Sequence, residues 1–191
     1  MPDFLDLRSV KRAVRSGLAP HLEPLGMVPV SDRDGWQRVL SSGLSAARVW
    51  FQYARPSRAH SLIVDGPVSK AISVRADVGF APTYSYDSWA VASSRFGTRM
   101  TPELLTDDVR NQMHRRASAV VQSWVAGQPP YDEEFAILYS PEAVRERLGR
   151  NDMFYPLPDR DEVDYWCSIA GPVLADAVQT IIRRDEHQPT D

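Results

Sequence analysis

Hydrophobic and polar positions alternate most cleanly between Ala71 and Phe80, where Ile72, Val74, Ala76 and Val78 fall on one side and Ser73, Arg75 and Asp77 on the other. A period of two marks a half-buried strand with one dry and one wet face. Two extended runs precede it, ARVWFQYARP and HSLIVDGP, separated by short turn signals, so Ala46 to Phe80 is expected to form a three-strand meander. Upstream, MVPVS and WQRVL flank the DRDG run of Asp32 to Gly35, a strand, turn and strand in which Pro29 confines the first strand to an edge or makes it no strand at all.

A period near 3.6 dominates elsewhere. Leu7, Val10, Val14 and Leu18, continued by Leu22 and Leu25, make the apolar stripe of a first helix capped by Asp3, and Arg8, Lys11, Arg12 and Arg15 take its other side. Pro20 and Pro24 predict a break or kink near Ala19, and Gly26 a stop. A second helix starts at Thr101 or Thr106, with Val109, Met113, Ala117, Val120 and Trp124 on its apolar face, and ends by Gly127. FAILY, at Phe135 to Tyr139, reads as a last strand or a helix entry, followed by a short helix between Ser140 and Gly149. NDMFYPLPD reads as loop. The last helix begins near Asp159 and buries Val163, Trp166, Cys167, Ala170, Leu174, Ala177, Val178, Ile181 and Ile182, with Pro172 expected to kink or split it.

The expected fold is therefore α+β: an antiparallel meander of about five strands whose dry face is covered by the N-terminal and C-terminal helices. At 191 residues, without repeats or low-complexity linkers, the chain reads as a single domain over residues 1–186 with a flexible tail at 187–191.

The helix ending in LGM, Trp36 with Arg38 beyond it, the aromatic strand VWFQYARPS and the strand closing in DVGF together resemble a bacterial domain-of-unknown-function family, numbered four-three-zero-four. The correspondence covers about Phe4 to Phe80, with a looser match through the Trp124 helix. Met27 stands where that family prefers phenylalanine, and Ala54 to Pro56 separate Gln52 from Ser57. The resemblance implies an α+β domain with a helical C-terminal part; the family has no agreed activity, so no catalytic residue carries over.

Composition narrows the classes. A net charge of −3 disfavours a dedicated nucleic-acid binder, which would carry a basic excess to displace counterions from phosphates. A single cysteine, no apolar run long enough to span a bilayer and no leader pattern give cytoplasm as the expected location and exclude a membrane partner. Of 22 basic residues only Lys11 and Lys70 are lysine, the mark of a GC-rich coding sequence, bacterial or phage.

Chemistry-bearing residues are sparse in pattern. His21, His60, His114 and His187 show no metal-ligand spacing, and Cys167 lies on an apolar helix stripe where a thiol is ordinarily inert, so neither a metal nor a cofactor is expected. Neither a nucleophile elbow nor a phosphate loop occurs. Asp132, Glu133 and Glu134 form one acidic run and Asp159, Asp161, Glu162 and Asp164 another, the latter where a helix N-terminus favours anions. Tyr84, Tyr86 and Trp89, punctuated by Ser85, Asp87 and Ser88, are too polar for a core strand and rich in residues that anchor interfaces, although packing onto the sheet is the duller account of the same rings.

The reading that follows is a non-catalytic binding or protein-interaction domain, immunity-like or accessory, whose contact residues are Tyr84, Tyr86, Asp87, Trp89 and Arg75. Its partner is an unidentified protein or small molecule, with a homodimer left open. The alternatives are a small hydrolase or metal-dependent enzyme using Asp132, Glu133 or His114, and a nucleic-acid binder using Arg12, Arg15, Arg115 and Arg116.

Overall fold

The computed structural model describes residues 4–30, 34–41, 43–54, 72–82, 98–99, 105–125 and 155–187. In chain order these form α1 (Leu7–Leu22), a 3-10 turn (Glu23–Leu25), β1 (Val28–Pro29), β2 (Gly35–Val39), β3 (Ser45–Ala54), β4 (Ile72–Pro82), β5 (Thr98–Arg99), α2 (Asp107–Val125), β6 (Tyr155–Leu157) and α3 (Arg160–Glu186). Strand order in the sheet is β1-β2-β3-β4-β5, with β6 also on β4. The pairs β1–β2, β2–β3, β4–β5 and β4–β6 are antiparallel. The protein is thus an α+β domain with an antiparallel sheet and helices at both ends of the chain.

β3 and β4 are direct neighbours, and the run HSLIVDGP lies outside the described residues. Also outside the described residues are Asp3, FAILY and the short helix expected after Ser140.

The chain divides into two compact units. In the first, residues 1–10, 53–75 and 101–163, Ile72 and Val74 stand opposite Leu157 and Tyr155 of β6, and all four are buried. NDMFYPLPD is therefore not all loop: its Tyr155–Leu157 stretch is a strand, with Pro156 opposite Ser73. Proline cannot donate to a ladder, but a three-residue strand on one partner needs few donors. Thr106 caps α2, accepting from the Val109 N–H at 3.4 Å, and Met113 and Ala117 fill the inward face of that helix.

In the second unit, residues 11–52, 76–100 and 164–191, α1 and α3 meet at unusually short range. A Cβ added at Gly17 would stand 2.7 Å from the Cys167 sulfur, and one added at Gly171 would collide with the His21 ring. Gly17 and His21 are one helical turn apart, as are Cys167 and Gly171, so each helix contributes one glycine to the crossing. Trp166 of α3 meets Phe51 of β3 edge-on, with ring centroids 6.3 Å apart. Phe51 shares its side of the sheet with Val49 and Ala47, and those with Trp36 and Arg38 directly opposite on β2. That is the face the last helix covers.

Both helical prolines are tolerated. α1 runs through Pro20 and α3 through Pro172 without the break expected near Ala19 or a split into two helices. In each case the proline and the residue four before it, Ser16 or Ser168, are exposed, so the turn that loses a hydrogen bond lies on the solvent side of its helix. The stop at Gly26 stands: it adopts φ 71°, and its N–H donates to the Glu23 carbonyl. The cap of α1 is Asp6, whose Oδ1 accepts from the Ser9 N–H at 2.6 Å.

The expectation of one wet sheet face fails at its centre. Every residue from Ala46 to Phe51 is buried, and on β4 Asp77 is buried alongside Val78. β3 behaves as a strand covered on both sides, which its unbroken apolar character around Arg48 permits. Towards β1 the same outer face opens, and Val28 and Val39 are exposed.

Gly17→Ala is expected to cost about 1–3 kcal/mol through overpacking against Cys167. Adding Cys167→Ala should recover part of that loss, a coupling that urea denaturation of the two single variants and the double variant would measure.

Candidate functional site

Within the first unit the densest polar cluster among the described residues gathers on Glu162. Asp159 caps α3, accepting from the Glu162 N–H at 2.9 Å and fixing the first turn. Glu162, three residues after the cap, holds the place from which a glutamate ordinarily folds back onto the cap's own N–H. Instead its carboxylate accepts the Tyr155 hydroxyl on Oε2 at 2.8 Å and the Arg116 Nε–H on Oε1 at 2.7 Å. Tyr155 and Glu162 are buried, whereas the Arg116 side chain keeps 39% of its exposure. β6, α2 and α3 are thereby tied through one carboxylate, and the cluster does the work of a joint.

In the second unit the buried charges are Arg48 and Asp77, 3% and 6% exposed. The Arg48 guanidinium carbon lies 5.6 Å from the centroid of the Trp50 ring, two residues along the same side of β3, within cation–π range. Asp77 stands opposite Arg99 of β5 in the ladder. Sequence reasoning placed Asp77 on a wet face and overlooked Arg48. The signal was there in Ala46-Ala47-Arg48-Val49-Trp50-Phe51, where both alternating sets are apolar apart from Arg48 itself, a pattern of two-sided burial.

The other candidates fall as follows. Tyr84, Tyr86, Asp87 and Trp89 lie outside the described residues; so do Asp132, Glu133, Glu134 and His60. Arg75 and His114 have described backbones, on β4 and α2, and no described side chain. Cys167 is buried with its sulfur 3.8 Å from the Val14 carbonyl, and His21 is wedged over Gly171. His187 Nδ1 lies 2.6 Å from the Arg183 carbonyl at the end of α3; because a carbonyl only accepts, that nitrogen carries the proton. Arg116, proposed for a basic patch, is held by Glu162, while Arg115 is exposed. Among the described residues no group of three His, Cys, Asp or Glu side chains is placed to hold a metal ion, and no helix is long and apolar enough to cross a membrane.

Comparison with protein-family models, with curated proteins and with solved structures gives no match to this chain. The geometry of its own residues therefore carries the functional argument.

Tyr155→Phe is expected to lower stability by about 0.5–1.5 kcal/mol, the net worth of one hydrogen bond. Glu162→Ala should cost more, about 1–3 kcal/mol, because it removes the carboxylate that accepts the buried Tyr155 hydroxyl as well as the Arg116 partner, the half-exposed Arg116 adding little. Chemical denaturation of the two variants gives the comparison directly.

Proposed function

We propose that this chain is a non-catalytic binding or protein-interaction domain, immunity-like or accessory in kind, working in the cytoplasm of a bacterium or in a phage-infected one. Its contacts with an unidentified protein or small molecule come from Tyr84, Tyr86, Asp87 and Trp89 together with Arg75. The resemblance to the bacterial domain-of-unknown-function family belongs to the same reading.

The observation that supports it is the register of β4 on β5. Asp77 pairs with Arg99 and Val78 with Thr98, so the chain between Pro82 and Thr98 joins two adjacent antiparallel strands. Two adjacent antiparallel strands can be joined by about two to five residues, so this connection is longer than the pairing requires. This one carries the aromatic group. Glu162, Cys167 and His21 meanwhile have packing roles that account for their positions without catalysis.

Tyr86→Ala and Trp89→Ala should each weaken partner capture, read by co-purification from the source lysate, while the melting temperature stays within about 2 °C of the parent. A large drop in melting temperature would put these rings in the core and end the proposal.

A further inference from the structure

We propose that the solvent face of α1 is a docking surface for an acidic protein segment, gripped by Arg8 and Arg12. It is separate in sequence from the Tyr84 to Trp89 segment and stands or falls without it.

The sixteen residues of α1 contain Arg8, Lys11, Arg12 and Arg15 and not one aspartate or glutamate, in a chain whose acidic residues outnumber its basic ones by 25 to 22. The four cations recur at spacings of three and four, so they share one side of the helix, opposite the buried Val10, Val14 and Leu18. Arg8, Arg12 and Arg15 are exposed.

Folding does not favour this placement. A helix N-terminus carries partial positive charge and prefers acids, yet beyond its Asp6 cap α1 has none in the first turn and places Arg8 there. Like charges three and four apart repel, by about 0.2–0.5 kcal/mol a pair. A feature that breaks local preference without a structural gain points to a use outside folding. Structural use does explain the far end of the stripe: Lys11 Nζ lies 2.6 Å from Asp34 Oδ2, and Arg15 donates to the Val30 carbonyl at 3.1 Å, pinning the β1–β2 hairpin. It does not explain Arg8 and Arg12.

The chemistry selects the partner. Two guanidinium groups one helical turn apart match carboxylates at the same spacing on a partner helix, each able to form a two-pronged pair. Interfaces commonly draw most of their energy from so few arginines. Nucleic acid is the poorer fit, since its affinity rises with the number of phosphates neutralised, and two uncommitted cations on a protein of net charge −3 release few counterions.

The test uses the full chain, a helical peptide carrying glutamate pairs four residues apart, the same peptide with glutamines, and duplex DNA. The glutamate peptide should bind, the glutamine peptide should not, and DNA should bind more weakly than the glutamate peptide. Arg8→Glu with Arg12→Glu should weaken peptide binding by about tenfold or more. The same variant should melt at the parent's temperature or about 1–3 °C above it, because at position 8 glutamate suits the first helical turn better than arginine. Binding and stability moving in opposite directions is the signature of charges kept for a partner. A failure of the glutamate peptide to bind, equal binding by the double variant, tighter binding of DNA, or a lowered melting temperature would each overturn the proposal.

Discussion

The contact of Trp166 with Phe51 is the constraint that the second unit depends on, because it joins the longest helix to the most deeply buried strand. Large aromatic side chains bury more apolar surface than any others, and both rings here are withdrawn from water. Once Trp166 is seated on β3, the next residue, Cys167, is turned towards α1. Only a glycine at position 17 allows the helices to approach as closely as they do. Close packing of this kind leaves little room for substitution, since an added methyl group must displace something. The helices, the hairpin held by Lys11 and Arg15, and the end of α3, where Asp185 accepts both the N–H and the hydroxyl of Ser41, follow from that seating.

Polar groups divide between fastening and display. Glu162 is spent on fastening, with both oxygens occupied by Tyr155 and Arg116, and so is Asp159 at the head of α3. Display falls to Arg8 and Arg12 of α1, the first of which stands at the unfavourable end of the helix dipole. This division gives Asp159 and Glu162 of the second acidic run structural roles and leaves Arg8 and Arg12 facing solvent.

Much of the fold was legible in the residues. The alternation through Ile72, Val74, Ala76 and Val78 marks four buried positions, and the spacing of Val163, Trp166, Cys167, Ala170, Leu174, Val178, Ile181 and Ile182 marks the buried side of α3. Gly26, Thr106 and Asp159 end or start helices because positive φ and side-chain capping are local properties. What escaped depends on tertiary context. Whether a proline interrupts a helix depends on its tertiary surroundings, and α1 and α3 continue through Pro20 and Pro172. Tyr155 to Leu157 has no periodicity of its own and becomes a strand only because β4 is there to pair with it. Asp77 and Arg48 look like surface residues until the second side of the strands is known to be covered. The proposed aromatic contacts were legible only as composition, which names a kind of surface and no partner.

Amide hydrogen exchange tests the central claim, that α3 and β3 form one cooperative core through Trp166 and Phe51. If they do, the amides of Ala47, Val49 and Phe51 and those of Ala170, Leu174 and Val178 exchange with the same protection, set by global unfolding. Exchange in α3 that is many times faster than in β3 would show a helix that opens on its own, and would contradict the account.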